Sequence, residues 1–243
     1  MRDYAKELEK RVSFIRGLLA ESHADGIVFG NSGGKDSALV GILCKKACDN
    51  TVGILMPCHS KRNFGIDLDD GRTLAESFGI ELRQFDLTPC RKAVVDMLSS
   101  EVELSDAALA NIAPRLRMTT LYTIGAAENR LVAGTGNKSE IYMGYFTKWG
   151  DGANDFNPIA DLTVTEVYEF LEYLGAPRSI IEKAPSAGLF EGQTDEQEMG
   201  VTYAAIDKYM ETGEASAHDK EIIDRYHARS EHKRNMPKFY SDN

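Results

Sequence analysis

Eight consecutive residues, Gly30-Asn31-Ser32-Gly33-Gly34-Lys35-Asp36-Ser37, combine glycines, hydroxyls, a lysine and a carboxylate in one short turn. They follow the β-branched and aromatic run Ile27-Val28-Phe29 and precede a helix-forming stretch from Ala38 to Cys48. Glycines let backbone N–H groups approach an anion closely, and the N-terminus of the next helix adds partial positive charge. The segment therefore reads as a phosphate cradle. It is not a Walker A loop, which needs a glycine where Phe29 stands and Ser or Thr where Asp36 stands. A carboxylate in place of the metal-binding hydroxyl implies different chemistry. The plain alternative is an ordinary glycine-rich turn between strand and helix.

Two further segments carry reactive side chains. Gly134-Thr135-Gly136-Asn137-Lys138-Ser139-Glu140 places Glu140 where a second carboxylate could face Asp36. Two carboxylates and nucleotide phosphates make an oxygen site suited to Mg²⁺, which keeps few protein ligands. Equally, Glu140 reads as a first-turn carboxylate favoured by its helix dipole. Downstream, Gly144-Tyr145-Phe146-Thr147-Lys148-Trp149-Gly150-Asp151-Gly152-Ala153-Asn154-Asp155 sets Asp151 between two glycines. That aspartate is either a chemical group or an Asp-Gly turn residue.

The elements that must position these groups follow from periodicity. Strands are expected at 26–30, 51–57, 81–86 and 131–134, with helices between them at 37–47, 68–78, 91–98 and 106–129. An amphipathic helix over 3–21 carries Leu8, Val12, Ile15 and Leu19 on one face, and helices resume at 164–174, 195–211 and 219–233. Short apolar strands alternating with helices predict an α/β fold, a doubly wound and mostly parallel sheet with helices on both faces. Ligands of such sheets bind beyond the carboxyl ends of the strands, where the segments after Phe29 and Ala133 lie. The stretch 143–162 has neither helical nor strand period. Its aromatics (Tyr145, Phe146, Trp149, Phe156) mark it as an ordered functional loop.

Bulk properties narrow the partners. The 243 residues suit one domain, spanning 1–243, and no linker or repeat divides them. A net charge of −10 argues against a nucleic-acid partner. No apolar run approaches the roughly 18 residues of a membrane span, and the charged N-terminus lacks the pattern of a signal peptide. Cys44 and Cys48 lie four apart, but no second pair completes a metal site, so the four cysteines read as reduced thiols of a cytoplasmic protein.

Ser-Gly-Gly-x-Asp-Ser resembles the pyrophosphate loop of the N-type ATP pyrophosphatases, enzymes with the adenine nucleotide α-hydrolase-like fold. With Gly-Thr-Gly-Asn-x-x-Glu and Gly-Tyr-x-Thr-Lys-x-Gly-Asp-Gly-x-x-Asp added, the chain is similar to the ammonia-dependent NAD⁺ synthetases. The similarity continues through Arg115-Leu116-Arg117-Met118, Pro185-Ser186-Ala187-Gly188-Leu189, Gly192-Gln193-Thr194-Asp195-Glu196 and Glu231-His232-Lys233-Arg234. It implies a C–N-bond-forming ligase. The carboxylate of deamido-NAD attacks the α-phosphorus of ATP, and ammonia then displaces AMP from the adenylate. On this reading Gly30, Ser32, Gly33, Gly34, Lys35, Asp36, Ser37, Thr135 and Ser186 bind ATP, and Asp36 and Glu140 hold Mg²⁺. Arg115, Lys148, Asp151, Asp155, His232 and Lys233 bind deamido-NAD. Asp151, with Lys148, is the catalytic expectation: ammonium must lose a proton as its nitrogen attacks, and a carboxylate can take it. The resemblance also implies a homodimer. No glutaminase portion precedes the synthetase motifs, which points to free ammonia.

One departure stands out. The family usually carries Leu-x-Lys at the start of the helix after the long loop, its lysine reaching phosphate, and here Leu162-Thr163 is followed by Val164. Lys35 is the nearest cation in sequence to replace it. Rival readings are another N-type enzyme adenylating a different carboxylate or a tRNA base, and a non-catalytic nucleotide-binding module. The acidic balance opposes the tRNA reading, and the presence of Asp36, Glu140 and Asp151 together opposes the module.

Overall fold

Three largely apolar runs and the more exposed segment Glu81–Gln84 become the strands of one parallel sheet in the computed structural model, which describes residues 2–60, 64–183 and 194–240. The strands are β1 (Gly26–Gly30), β2 (Thr51–Leu55), β3 (Glu81–Gln84) and β4 (Arg130–Ala133), in spatial order β3-β2-β1-β4. All three pairings are parallel, with Val28 opposite both Val52 and Val132. The doubly wound parallel sheet expected from the sequence is therefore present. β2 ends two residues earlier than expected because Pro57 has no N–H to extend it. β3 stops at Gln84 and not at 86. β4 is shifted one residue back, since Gly134 N–H leaves the sheet for Phe156 O at 2.8 Å.

Helices fill both faces. In chain order they are α1 (Tyr4–Ser22), α2 (Lys35–Ala47), α3 (Ile66–Phe78), α4 (Thr88–Ser99), α5 (Asp106–Ala110), α6 (Ile112–Glu128), α7 (Lys138–Met143) and α8 (Val164–Leu174). Then come α9 (Arg178–Ile181), α10 (Asp195–Met199), α11 (Tyr203–Thr212), α12 (Ala217–Arg229) and α13 (Glu231–Arg234). On one face Phe29 packs with Leu39, Leu43, Val167 and Phe170, joining β1 to α2 and α8. The Phe29 ring lies so close to Gly41 and Gly53 that a Cβ there would sit 2.6 and 3.1 Å from it. On the other face α6 lays Leu116, Leu121 and Ile124 against Val28, Val52, Ile54 and Val132. A third cluster around Met143, Val164, Met199, Tyr203, Ile206 and Ile223 ties α7 to the C-terminal helices.

Three helices expected to be continuous are broken. The segment 106–129 divides at Asn111, because Pro114 lacks an N–H and its ring clashes with the carbonyl four residues back. The segment 195–211 divides where Gly200 adopts φ +77° and Thr202 caps the next helix. The segment 219–233 divides at Ser230, which caps α12 and packs against Gly144. Among the described residues no helix is long and apolar enough to cross a membrane.

Candidate active site

The cradle is held by its own side chains. Asn31, almost fully buried, donates from Nδ2 to Gly71 O at 2.9 Å and accepts Gly33 N–H at 3.2 Å. Gly33 has φ +69°, and a Cβ there would lie 2.2 Å from Asp67 O, so no other residue fits. Ser32 N–H donates to Ser37 Oγ at 3.2 Å, Gly34 N–H to Ser32 Oγ at 3.3 Å, and Ser37 Oγ to Gly34 O at 3.0 Å. α2 begins at Lys35 with Gly34 as an N-cap that offers no side chain, so Lys35 and Asp36 lie in its first turn rather than in the loop. An uncapped helix N-terminus beneath two serines is an anion site.

Asp36 and Glu140 meet across the strand ends through Asn137. Asn137 Nδ2 donates to Asp36 Oδ1 at 3.0 Å, and Asn137 N–H to Glu140 Oε2 at 3.2 Å. Glu140 is thus a helix-capping carboxylate, as its position in the first turn of α7 suggests, and it faces Asp36 as well. The remaining oxygens turn toward Lys35, whose Nζ stands 2.6 Å from Asp36 Oδ2 and 3.8 Å from Glu140 Oε1. Burial opposes the ammonium charge, yet the two carboxylates outweigh it and keep Lys35 protonated well above the ordinary lysine range. Burial, and then the charge of Asp36, push the Glu140 carboxyl upward. Among the described residues no cluster of three or more His, Cys, Asp or Glu could hold a metal. Two carboxylates lining one cleft, each with an oxygen not taken by Asn137, still suit Mg²⁺, which completes its shell with phosphate and water.

Lys35 lines the cleft with its ammonium held on the Asp36–Glu140 pair. Val164 is buried in the cluster with Met143 and Tyr203. A different lysine, Lys183, reaches the cradle and was not anticipated. Its Nζ donates to Gly33 O at 3.3 Å, Asp67 Oδ1 at 2.7 Å and Asp70 Oδ2 at 2.9 Å. It neutralises two carboxylates at the N-terminus of α3 that would otherwise repel phosphate.

The opposite wall comes from the aromatic loop and α13. Asp151 Oδ1 accepts Thr147 N–H at 3.0 Å. Its carboxylate opens on the pocket but is ringed by protein, which pushes its pKa up against the lowering pull of the Thr147 N–H and Lys233. Lys233 Nζ donates to Gly144 O and Phe146 O at 2.8 and 2.6 Å, locking α13 to the loop, and burial lowers its pKa.

One cleft of about 900 Å³ joins these groups. Gly30, Ser32, Gly34, Lys35, Asp36, Ser37, Thr135, Glu140, Asp151, His232 and Lys233 all line it, whereas Gly33, Arg115, Lys148 and Asp155 do not. Asp155 lies beside β4, where its Oδ2 accepts Val132 N–H at 2.8 Å and its N–H donates to Val132 O at 2.9 Å. Lys148 is turned away, donating to His232 O at 2.6 Å, and Arg115 donates to Lys148 O at 3.4 Å. Ser186 lies outside the described residues. Arg117, not Arg115, enters the pocket, its Nε donating to Met56 O at 3.2 Å. Helical spacing could have chosen it, because Pro114, Arg117, Met118 and Leu121 share one face of α6 and Arg115 lies off it.

Known proteins resemble the chain over nearly its whole length. The family model for NAD synthase matches residues 7–243. The chain is 48% identical over 238 residues to an NH₃-dependent NAD⁺ synthetase of Carboxydothermus hydrogenoformans, covering 97% of each chain. Among solved structures it resembles an NMN synthetase from Francisella tularensis, with a TM-score of 0.93, 37% identity and 99% of each chain covered. It also resembles an NH₃-dependent NAD synthetase from Campylobacter jejuni, with a TM-score of 0.81, 30% identity, and 99% of this chain and 100% of the other covered.

Proposed function

The chain belongs to the NAD synthase family, and from that premise we propose that it amidates deamido-NAD to NAD⁺ with ammonia, consuming ATP and releasing AMP and pyrophosphate. The observation that carries this reading is the join made by Asn137. It brings the phosphate cradle after β1 and the Glu140 segment after β4 into one cleft with Asp151.

Each group has a task in that scheme. A carboxylate is a poor acyl donor, and adenylation turns its oxygen into a leaving group. In-line displacement at the α-phosphorus needs positioning and charge neutralisation more than covalent help. Ser32, Gly34, Ser37 and the N-terminus of α2 hold the β- and γ-phosphates, and Thr135 supplies a hydroxyl to the α-phosphate. Asp36 and Glu140 are the residues that would hold Mg²⁺, which supplies neutralisation of the developing pyrophosphate charge. Asp151 binds ammonium and accepts its proton as nitrogen attacks the adenylate. His232 and Lys233 form the wall against the deamido-NAD. Ser186 keeps its expected phosphate role only by resemblance, as do Arg115, Lys148 and Asp155 for the dinucleotide.

Three features support the assembly and its compartment. α4 has no buried residue although it carries Val94, Val95, Met97 and Leu98, and α6 beside it buries only Gly125. A face so apolar and so open suits a homodimer. The described residues contain four free cysteines, in keeping with a reducing cytoplasm.

Incubation with ATP, Mg²⁺, ammonium and deamido-NAD should yield NAD⁺, AMP and pyrophosphate in equal amounts. Formation of ADP would remove the mechanism. A second reading of the acceptor is favoured by the likeness to the Francisella NMN synthetase, where the acid would be the mononucleotide without its adenylate half. Comparing kcat/KM for the two acids under the same ATP and ammonium settles which one is used.

A further inference from the structure

The oxygens of the carboxylate pair are unequally employed. Asn137 occupies Asp36 Oδ1 through its side chain and Glu140 Oε2 through its backbone N–H. Only Asp36 Oδ2 and Glu140 Oε1 turn away from Asn137, and these are the two atoms that the Lys35 ammonium approaches, at 2.6 and 3.8 Å. The lysine side chain is 6% exposed, and the Tyr203 ring lies 5.7 Å from Nζ. Lys35 also lines the cleft, so the pocket is the polar direction open to its head group.

We propose that Lys35 is a resident counter-cation of the divalent-ion site. Its ammonium holds the same two oxygens that Mg²⁺ would take, and it yields them when ATP gives it phosphate to pair with instead. This rests on Asp36 and Glu140 being the metal-holding residues. Lys35 neutralises the pair while the site awaits substrate, preventing two buried carboxylates from facing each other uncompensated. It also makes a divalent ion without nucleotide a poor ligand, because binding would strand a buried ammonium. With ATP the ammonium gains a new anionic partner, so metal and nucleotide strengthen each other reciprocally. Lys35 is a positioning residue that couples the two ligands rather than a group that touches the reacting atoms.

Direct binding of Mn²⁺, followed by loss of the free-ion EPR signal, tests this without turnover. Lys35→Met keeps the length of the stem and removes the charge. In the absence of nucleotide the variant should bind Mn²⁺ at least about tenfold more tightly than the native protein. A non-cleavable α,β-methylene ATP should strengthen Mn²⁺ binding in the native protein by a larger factor than in the variant, and Lys35→Arg should keep the native coupling. Equal or weaker Mn²⁺ binding by a Lys35→Met protein whose circular dichroism matches the native one overturns the proposal. Asp36→Asn separates the two levels: if it leaves Mn²⁺ binding intact, the metal reading itself fails. If it abolishes binding while Lys35→Met changes nothing, only the role of Lys35 fails.

Discussion

Asp151, the proposed base, sits in surroundings that bear directly on that role. Enclosure by protein raises its pKa, while the Thr147 N–H and Lys233 hold the rise in check. A base of raised pKa is lost on acidification earlier than an ordinary aspartate, whose midpoint lies at about 4. Amidation from the preformed adenylate should therefore fall as pH drops, with a midpoint above that value. Asp151→Asn should remove this acid limb and lower the amidation rate by about 10²–10⁴-fold. Pyrophosphate release should continue. Rapid-quench measurement of adenylate formation and decay checks both, and an unchanged acid limb in the variant removes Asp151 as the base. At this scale the sequence spoke clearly where chemistry and local spacing coincide, as in Ser32 to Ser37. It was silent on Lys183, whose partners Asp67 and Asp70 lie far away in the chain, and on the bond by which Asp155 receives a backbone N–H of β4. Of the two arginines of this motif, Arg117 lines the cleft and Arg115 does not, a difference the helical face carries and the motif alone does not.

Short elements and their ends do much of the positioning. Gly144 terminates α7 at φ +65°, and a Cβ there would lie 2.0 Å from the Cβ of Ser230. Its carbonyl also receives Lys233. Gly144→Ala must therefore strain the left-handed turn and push the α12–α13 junction outward, at a cost of about 2 kcal/mol. For a chain of this size that lowers Tm by about 4–8 °C. It should also raise KM for the dinucleotide acid more than KM for ATP, because α13 carries His232 and Lys233 of the proposed acceptor wall and no residue of the cradle. Calorimetry and initial rates measure both, and an unshifted Tm would show that the junction has room the structure denies. The existence of the sheet and of α8 was legible because apolar runs and capping residues agree there. Helix continuity was not, since helix-forming residues flank Asn111, Gly200 and Ser230 on both sides. Of these, only Pro114 near Asn111 and the glycine at 200 leave a local trace. The break at Ser230 is imposed by packing against Gly144, a contact from another part of the chain.

Among the exposed apolar side chains of the described residues, those on and beside α4 form a candidate contact surface. Met97 and Val102 are more than half exposed, and α4 and α6 bury almost nothing between them. Sedimentation should give about twice the monomer mass of 26.9 kDa. Met97→Glu combined with Leu98→Glu should shift it toward the monomer. A native protein that sediments as a monomer would sink the dimer, and an unaltered dimer in the variant would place the interface elsewhere. The sheet order carries a different consequence, one of timing. β1 finds β2 after a single intervening helix, but β4 must come from roughly a hundred residues further along, and distant pairings form slowly. The cradle with Asp36 belongs to the locally assembled part, and Glu140 rides on the strand that arrives by the long route. The hydrogen bond from Asn137 to Asp36 thus joins an early half of the protein to a late one, and its hydrogen-exchange protection should be among the last to develop during refolding.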